Sequence, residues 1–276
     1  MSTTRKYYLV ILCGLLTVVA YCQVKQNQSD TVASNAGTVD KDRVAALIAK
    51  ASENTPESIY FVEQLAKAKA VQVVPMLEEK FVHTQDAVDK AHIASALVRL
   101  GDKDDIYWDF LVKQATQAVE SDAPDFMNFD PQAKTGAGPS PEFIAWAKAH
   151  NVPPNGPNGT AAEDAMHWLP GKVMLLGITG DPRAIPLLRQ ALLSPNHMIE
   201  IAAAKGLAEI QDKDSIPLII EACKRAPAAA AAVIAESLVY FDDADAQRAV
   251  DTYVPKDRAK ILREARAQGK KTPWGY

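Results

Sequence analysis

The sequence has 276 residues, and its 48% hydrophobic and 23% charged residues are typical of a globular protein rather than a disordered one. The formal net charge of −4 argues against nucleic acid as a partner, because nucleic-acid binding rewards basic surfaces. Aromatic residues make up only 7% of the chain, whereas alanine is abundant and runs without interruption from residue 228 to 232. Because alanine has the highest helix propensity, the composition favours an all-α fold.

The first 22 residues have the pattern of a targeting segment. Arg5 and Lys6 precede an apolar run from residue 7 to 22, which is shorter than the roughly 20 residues that span a bilayer comfortably. We interpret residues 1–22 as a secretory signal peptide, cleaved after Ala20 or Cys22. The alternatives are an uncleaved N-terminal anchor, which would tether the chain to a membrane, and a lipoprotein signal with Cys22 as the modified residue.

Each of these alternatives takes the chain out of the cytoplasm, and the style of the signal indicates a bacterial periplasm or envelope. Loss of Arg5 and Lys6 with the signal would lower the net charge to −6. The polar residues 23–40 that follow predict a flexible tether. Cys223 is then alone in the helical region, so it forms no internal disulfide and is predicted to be a small core residue.

A short pattern recurs in the second half of the chain. Three stretches align on Leu176, Leu207 and Leu238, which are 31 residues apart. Each stretch ends an apolar helix, turns at Gly or Asp, and begins another amphipathic helix. A repeat of this length predicts a stack of helix pairs, or α-solenoid.

The pattern extends towards the N-terminus, where Leu65 and Leu97 are 32 residues apart. Helical repeats are therefore predicted over residues 41–120 and 169–268. The aspartates of the turns are expected to cap the following helices, and the prolines to lie in their first turns, where backbone donors are unpaired. These residues are Asp181, Asp212, Asp243, Pro75, Pro186 and Pro217. A C-terminal tail of residues 269–276 remains, whose aromatics either dock on the solenoid or hang free.

The repeats resemble HEAT repeats of the short type that is shared with bilin-lyase-like proteins. Asp181, Ala184, Ile185, Pro186 and Leu188 match the D-x-x-A-I-P-x-L opening of the first helix, and Ala203, Ala204, Leu207 and Ile210 match the A-A-x-x-L-x-x-I closing of the second. The resemblance is good over residues 172–250 and fair over 59–111. It implies an α-solenoid and, more loosely, a scaffold for protein interaction.

An insertion is predicted over residues 121–168, because Leu97 and Leu176 are 79 residues apart. Proline, glycine and aromatic residues are concentrated there, and aromatics seek burial, so we expect a subdomain that folds onto the solenoid. Insertions of this kind often mark the binding face of a solenoid. The predicted binding residues all lie in this segment: Phe143, Trp146, Asp164, His167 and Trp168.

The sequence contains no phosphate-binding loop, nucleophile elbow or set of metal ligands at a recognised spacing. Asp164 and His167 are three residues apart, but two such residues do not make a metal site. His92 is interpreted as a surface or helix-end residue and His197 as isolated. We therefore assign no catalytic residue, no metal ligand and no cofactor.

The sequence as a whole predicts an exported helical-repeat scaffold that binds a protein or peptide and has no catalytic activity of its own. The alternative is an enzyme or ligand-binding protein with a site between the insertion and the solenoid. That alternative requires Asp164, His167 and Trp168 to face a common pocket.

Overall fold

The computed structural model of the protein describes residues 41–53, 55, 58–125, 140–149, 160–270 and 272–274. For residues 41–42 and 160–168 it describes the helical backbone and not the side chains. The predicted signal peptide (1–22) and tether (23–40) lie outside the described residues. So do residues 126–139 and 150–159 of the predicted insertion.

The described part of the chain is built from α-helices joined by turns and short 3₁₀ helices, and no strand occurs in these ranges. The helices are α1 (Lys41–Ser52), α2 (Ser58–Lys67), α3 (Val74–His83), α4 (Ala87–Arg99), α5 (Asp105–Val119), α6 (Pro141–Ala149), α7 (Thr160–Gly177), α8 (Ile185–Ala191), α9 (His197–Ile210), α10 (Ile216–Arg225), α11 (Ala228–Glu236), α12 (Ala244–Tyr253) and α13 (Lys256–Ala267).

These helices form two packed layers. Layer A consists of the first helices of the pairs, α3, α5, α8, α10 and α12. Layer B consists of α2, α4, α7, α9 and α11, with the 3₁₀ helix Ser237–Tyr240 and α13 at its end. Neighbouring helices of layer B pack on one another, and α4, α7, α9 and α11 also pack on helices of layer A. Helix α1 packs on α2. The predicted all-α solenoid is therefore confirmed.

The turn chemistry explains where the layer A helices begin. A 3₁₀ turn precedes α3, α8 and α10, and Pro75, Pro186 and Pro217 each occupy the second position of the helix, as predicted. The Asp181 carboxylate caps its turn by accepting the Arg183 N–H at 2.9 Å. The prediction that Asp212 caps a helix is wrong, because its carboxylate instead accepts hydrogen bonds from the Arg189 side chain and the Ser215 hydroxyl.

One continuous core runs between the layers. The leucines that define the repeat are all fully buried: Leu65, Leu97, Leu176, Leu207 and Leu238. Cys223 is a free, buried thiol and packs in this core, as predicted. None of the helices that the structure describes is both long and apolar enough to cross a membrane.

The predicted boundary between residues 168 and 169 falls inside a helix. Helix α7 begins at Thr160, within the predicted insertion, and continues to Gly177. The second helix of this repeat is therefore longer than the leucine pattern indicates. A helix also forms over Pro141–Ala149, within the predicted insertion.

Candidate functional site

Helix α6 carries two of the five predicted binding residues. Phe143 is buried, with 1% of its surface exposed, and Trp146 is half-buried. Their rings lie 5.7 Å apart, and the Trp146 Nε1 donates a hydrogen bond of 2.8 Å to the Asp122 carboxylate. The structure therefore brings Phe143 and Trp146 together and ties them to the start of the insertion.

The other three predicted residues, Asp164, His167 and Trp168, lie on α7. Their side chains are outside the described residues, so their role in binding stays a prediction.

Ser140 joins the two ends of the described insertion. Its hydroxyl accepts the Phe143 N–H at 3.0 Å, which caps the start of α6, and donates to the backbone carbonyl of Asp125 at 2.6 Å. Ser140 is itself buried. Helix α6 is thereby held against residues 121–125.

Asn196 attaches the same segment to the solenoid. Its Oδ1 accepts the N–H groups of Met198 and Ile199 and so caps α9. Its Nδ2 donates to the carbonyls of Ala123 and Pro124 at 3.2 and 3.3 Å. One buried side chain therefore both starts a layer B helix and fixes the entry of the insertion.

Four charged or titratable side chains surround this attachment, and we call them the junction cluster: Asp125, His197, Glu200 and Arg225. Glu200 is 2% exposed and lies at the centre. One of its oxygens is 2.7 Å from the His197 Nδ1, and the other accepts the Arg225 Nη2 at 3.0 Å. The His197 Nε2 lies 3.8 Å from the Asp125 carboxylate. Arg225 also donates to the Leu192 carbonyl at 2.8 Å.

The junction cluster has shifted pKa values. Burial raises the pKa of Asp125 to about 6, although the neighbouring His197 and the Met198 N–H oppose the shift. The hydrogen bond with Glu200 raises the pKa of His197, aided by the charge of Asp125 and opposed by burial. A carboxyl group with the pKa of Asp125 exchanges its proton in mild acid rather than near its ordinary value of 3.8. Both oxygens of Glu200 are already paired, however, so the cluster presents a closed network.

Metal binding gains no support from this geometry. Across the ranges that the structure describes, no three His, Cys, Asp or Glu side chains are arranged to hold a metal ion. Cys223 lies beneath the junction cluster, and burial, followed by the charge of Glu200, raises the pKa of its thiol to about 12. A thiol with that pKa is not a nucleophile at neutral pH.

A second site lies at the C-terminal ends of the layer B helices. Helix α13 ends at Ala267, and Gly269, with a φ of +106°, reverses the chain two residues later. The Lys270 N–H donates to the Ala265 carbonyl and the Gly269 N–H to the Arg266 carbonyl, both at 3.0 Å, which is the hydrogen-bond pattern of a Schellman motif. The chain beyond this turn then reaches α7 and α9.

The end of this tail contacts layer B directly. The Trp274 N–H donates to the Glu209 carboxylate at 3.3 Å, and the indole packs against the hydrophobic core. The ring carbon Cη2 would lie 3.4 Å from a Cβ atom placed on Gly177. We call Gly177, Lys205 and Glu209 the tail-docking surface. The structure thus decides between the two alternatives for the tail, because the Trp274 ring docks on the solenoid.

Charged groups surround the tail-docking surface. Burial raises the pKa of Glu209, although the hydrogen bond from the Trp274 N–H partly offsets the effect. Burial lowers the pKa of Lys205, and the charge of Glu236 opposes that shift. Glu236 in turn accepts two hydrogen bonds from Arg258, at 2.7 and 2.9 Å. On this part of layer B, charged side chains therefore surround the apolar contact between Trp274 and Gly177.

Two histidine interpretations were wrong. His197 is not isolated, since it bonds to Glu200 one helical turn away. His92 is not a surface residue: it is half-buried, with its Nδ1 3.0 Å from the Glu63 carboxylate, which also accepts the Arg99 Nη1 at 2.6 Å. The spacing of His197 and Glu200 on one helix was a readable signal. The long-range partners Asp125, Arg225 and Glu63 leave no local trace in the sequence.

The two layers of repeated helix pairs define a protein of the α-solenoid class. Within it, residues 173–239 match the family model described as HEAT repeats, so this part of the chain is a HEAT-repeat segment. The match covers the first two copies read from the sequence and the start of the third, and it confirms the predicted resemblance to HEAT repeats over this part of the chain. No curated protein and no solved structure matches the chain.

Proposed function

We propose that the chain is an exported helical-repeat scaffold that binds a protein or peptide along layer B. The observation that carries the proposal is the docked tail, because layer B already holds a peptide segment through a backbone N–H and an aromatic ring. Solenoids present extended surfaces of this kind to their partners. HEAT repeats also commonly serve as interaction scaffolds.

The junction cluster favours a structural role for the start of the insertion over a catalytic one. Asp125, His197, Glu200 and Arg225 pair with one another and with backbone groups. Buried networks with paired members fix an arrangement rather than react. The enzyme alternative rests on Asp164, His167 and Trp168, whose side chains lie outside the described part of the chain.

Site-specific photocrosslinking tests the scaffold proposal. Val233 lies on the partly exposed stripe of α11 that includes Glu236, whereas Leu218 is a 40% exposed aliphatic residue of α10 in layer A. We expect benzoylphenylalanine at Val233 to form an adduct with an envelope protein, and the same residue at Leu218 to form none. Adducts from Leu218 alone would contradict binding along layer B. Adducts from neither position would contradict the scaffold proposal.

Export to the periplasm or envelope is part of this proposal and is supported by the Arg5-Lys6 pair before the apolar run of residues 7–22. Fractionation of cells that produce the full chain, followed by mass measurement, tests it. A chain that begins at Tyr21 or Gln23 without a lipid would support a cleaved signal. A lipid on Cys22, or an intact N-terminus in the membrane fraction, would support one of the tethered alternatives.

A further inference from the structure

We infer that residues 272–274 of this chain are an internal ligand, and that the partner presents a peptide segment with a tryptophan or similarly large aromatic residue that displaces Thr272–Trp274 from the tail-docking surface. This inference rests on the proposed function, because it names the chemistry of the partner that layer B binds. Three features of the segment and its surroundings support it.

The first feature is the shape of the surface beneath Trp274. Gly177 has no side chain, and a Cβ there would contact the indole at 3.4 Å, so the ring lies directly against the backbone of α7. The indole is half-buried and joins the core that α7 and α9 share. Large aromatic side chains contribute much of the binding energy of peptide interfaces. The surface is therefore suited to a flat, large ring.

The second feature is the backbone of the docked segment. Pro273 has no N–H and a fixed φ, so it restricts the backbone of a segment that bends over residues 272–274. The Trp274 N–H has the Glu209 carboxylate as its acceptor. A segment that proline restricts before it binds loses less conformational entropy, which favours a Pro-Trp sequence as a ligand for this surface.

The third feature is that the tail is held weakly enough to exchange. Among the described residues 272–274, the attachment is the Trp274 N–H bond to Glu209 at 3.3 Å and the contact of a half-buried indole, and a segment with so few buried contacts opens at low free energy. Lys270, which begins the segment, is an unfavourable neighbour for layer B. Burial lowers its pKa, the positive charges of Arg258 and Lys67 lower it further, and Glu209 and Glu236 offset this only in part. A partner segment without a cation at this position would avoid that repulsion.

The experiment uses a fluorescein-labelled peptide with the sequence of residues 270–276, KKTPWGY, added to the full chain. We expect the peptide to bind the Trp274→Ala chain at least tenfold more tightly than the wild-type chain. The reason is that the tethered tail competes at an effective concentration of about 1 mM. In the Trp274→Ala background, Glu209→Ala should weaken peptide binding, whereas the exposed Glu221→Ala on layer A should leave it unchanged. Circular dichroism confirms that each variant is folded.

Several results would overturn the inference. The first is that the peptide does not bind the Trp274→Ala chain at about 1 mM peptide. The second is that the peptide binds the wild-type and Trp274→Ala chains equally tightly. The third is that a peptide with alanine in place of tryptophan binds as tightly as the original peptide. Dimerisation of the wild-type chain that Trp274→Ala abolishes would also overturn it, in favour of tail exchange between two copies. If the peptide does not bind while the chain with benzoylphenylalanine at Val233 still forms adducts, this inference is rejected and the scaffold proposal is retained. If the peptide binds but Val233 forms no adduct, the tail-docking surface is retained as a peptide site and the proposal of a protein partner is rejected.

Discussion

Gly177 and Gly206 face each other where α7 packs on α9, and their backbones nearly touch. A Cβ on Gly177 would lie 2.7 Å from the Gly206 Cα, a distance that real Cβ atoms essentially never show. A Cβ on Gly206 would lie 3.0 Å from both the Gly177 Cα and a methyl group of Leu188. Both glycines are helical, so close packing, rather than an unusual φ, requires them. This contact sets the spacing of the two layer B helices beneath Trp274.

Gly177→Ala should therefore destabilise the fold, although alanine is favoured over glycine in helices by about 1 kcal/mol. The overpacking of two helix backbones is expected to cost more, for a net loss of about 2 kcal/mol in the free energy of unfolding. Gly206→Ala should cost less, because part of its contact is with the flexible Leu188 side chain. Urea unfolding of both variants measures the difference. A Gly177→Ala chain as stable as the wild type would contradict the predicted clash.

The Glu63 carboxylate should make the fold sensitive to acid. Burial raises its pKa, but the hydrogen bond from His92 and the charge of Arg99 outweigh burial and hold the pKa at about 2. Because the folded pKa lies below the ordinary 4.5, this stabilisation is complete above pH 4.5. It is lost as the pH falls from 4.5 through 2. Urea unfolding at pH 7 and pH 3 should show the decline in the wild type.

Glu63→Gln should remove about 3 kcal/mol of stability at pH 7, because it leaves the charge of Arg99, which is 6% exposed, without its carboxylate. The matched control is Glu79→Gln, an exposed residue of α3, for which we expect little change. A Glu63→Gln chain with wild-type stability at pH 7 and an unchanged acid response would show that the carboxylate does not act as proposed.

The junction cluster should hold the insertion more tightly in mild acid than in base. The folded pKa of Asp125, about 6, lies above the ordinary 3.8, so its contribution is lost as the pH rises from 3.8 through 6. The pKa of His197 is also raised above 6.5, so its contribution is present below pH 6.5 and is lost at higher pH. Glu200 and Arg225 also face His197, while the Cys223 thiol stays neutral throughout this range.

Hydrogen exchange of the α6 amides, corrected for intrinsic rates, measures this effect. We expect protection to be greater at pH 5 than at pH 8, because Ser140 links α6 to the backbone of Asp125. Asp125→Asn should reduce the difference, and Asp109→Asn, at an exposed position of α5, should preserve it. Greater protection at pH 8 in the wild type would reverse the predicted sign.

Cys223 should resist alkylation in the folded chain. Its side chain is 1% exposed, and burial raises its pKa to about 12, so almost no thiolate is present at pH 8. Iodoacetamide, with the modified peptides identified by mass spectrometry, should label Cys223 only after urea unfolds the chain. Rapid labelling of Cys223 under native conditions would show that the α10 helix opens readily.

The sequence by itself determined the repeat architecture. Leu176, Leu207 and Leu238 recur at a constant spacing because each repeat presents the same residues to the core, and hydrophobic periodicity records that burial directly. The positions of Pro186 and Pro217 were also predicted correctly, because only the first turn of a helix accommodates proline readily. Local rules such as these can be read from neighbouring residues.

Only the tertiary structure decided which distant residues meet. The junction cluster joins Asp125 to His197 and Glu200 to Arg225, and the tail joins Trp274 to Glu209, 65 residues earlier in the chain. Such contacts depend on how α7 and α9 stack and on where the chain turns at Gly269, and they impose no spacing on the sequence. The fold could be predicted because burial repeats along the chain. The proposed binding surface could not, because it is assembled once from residues that the stacking of helices brings together.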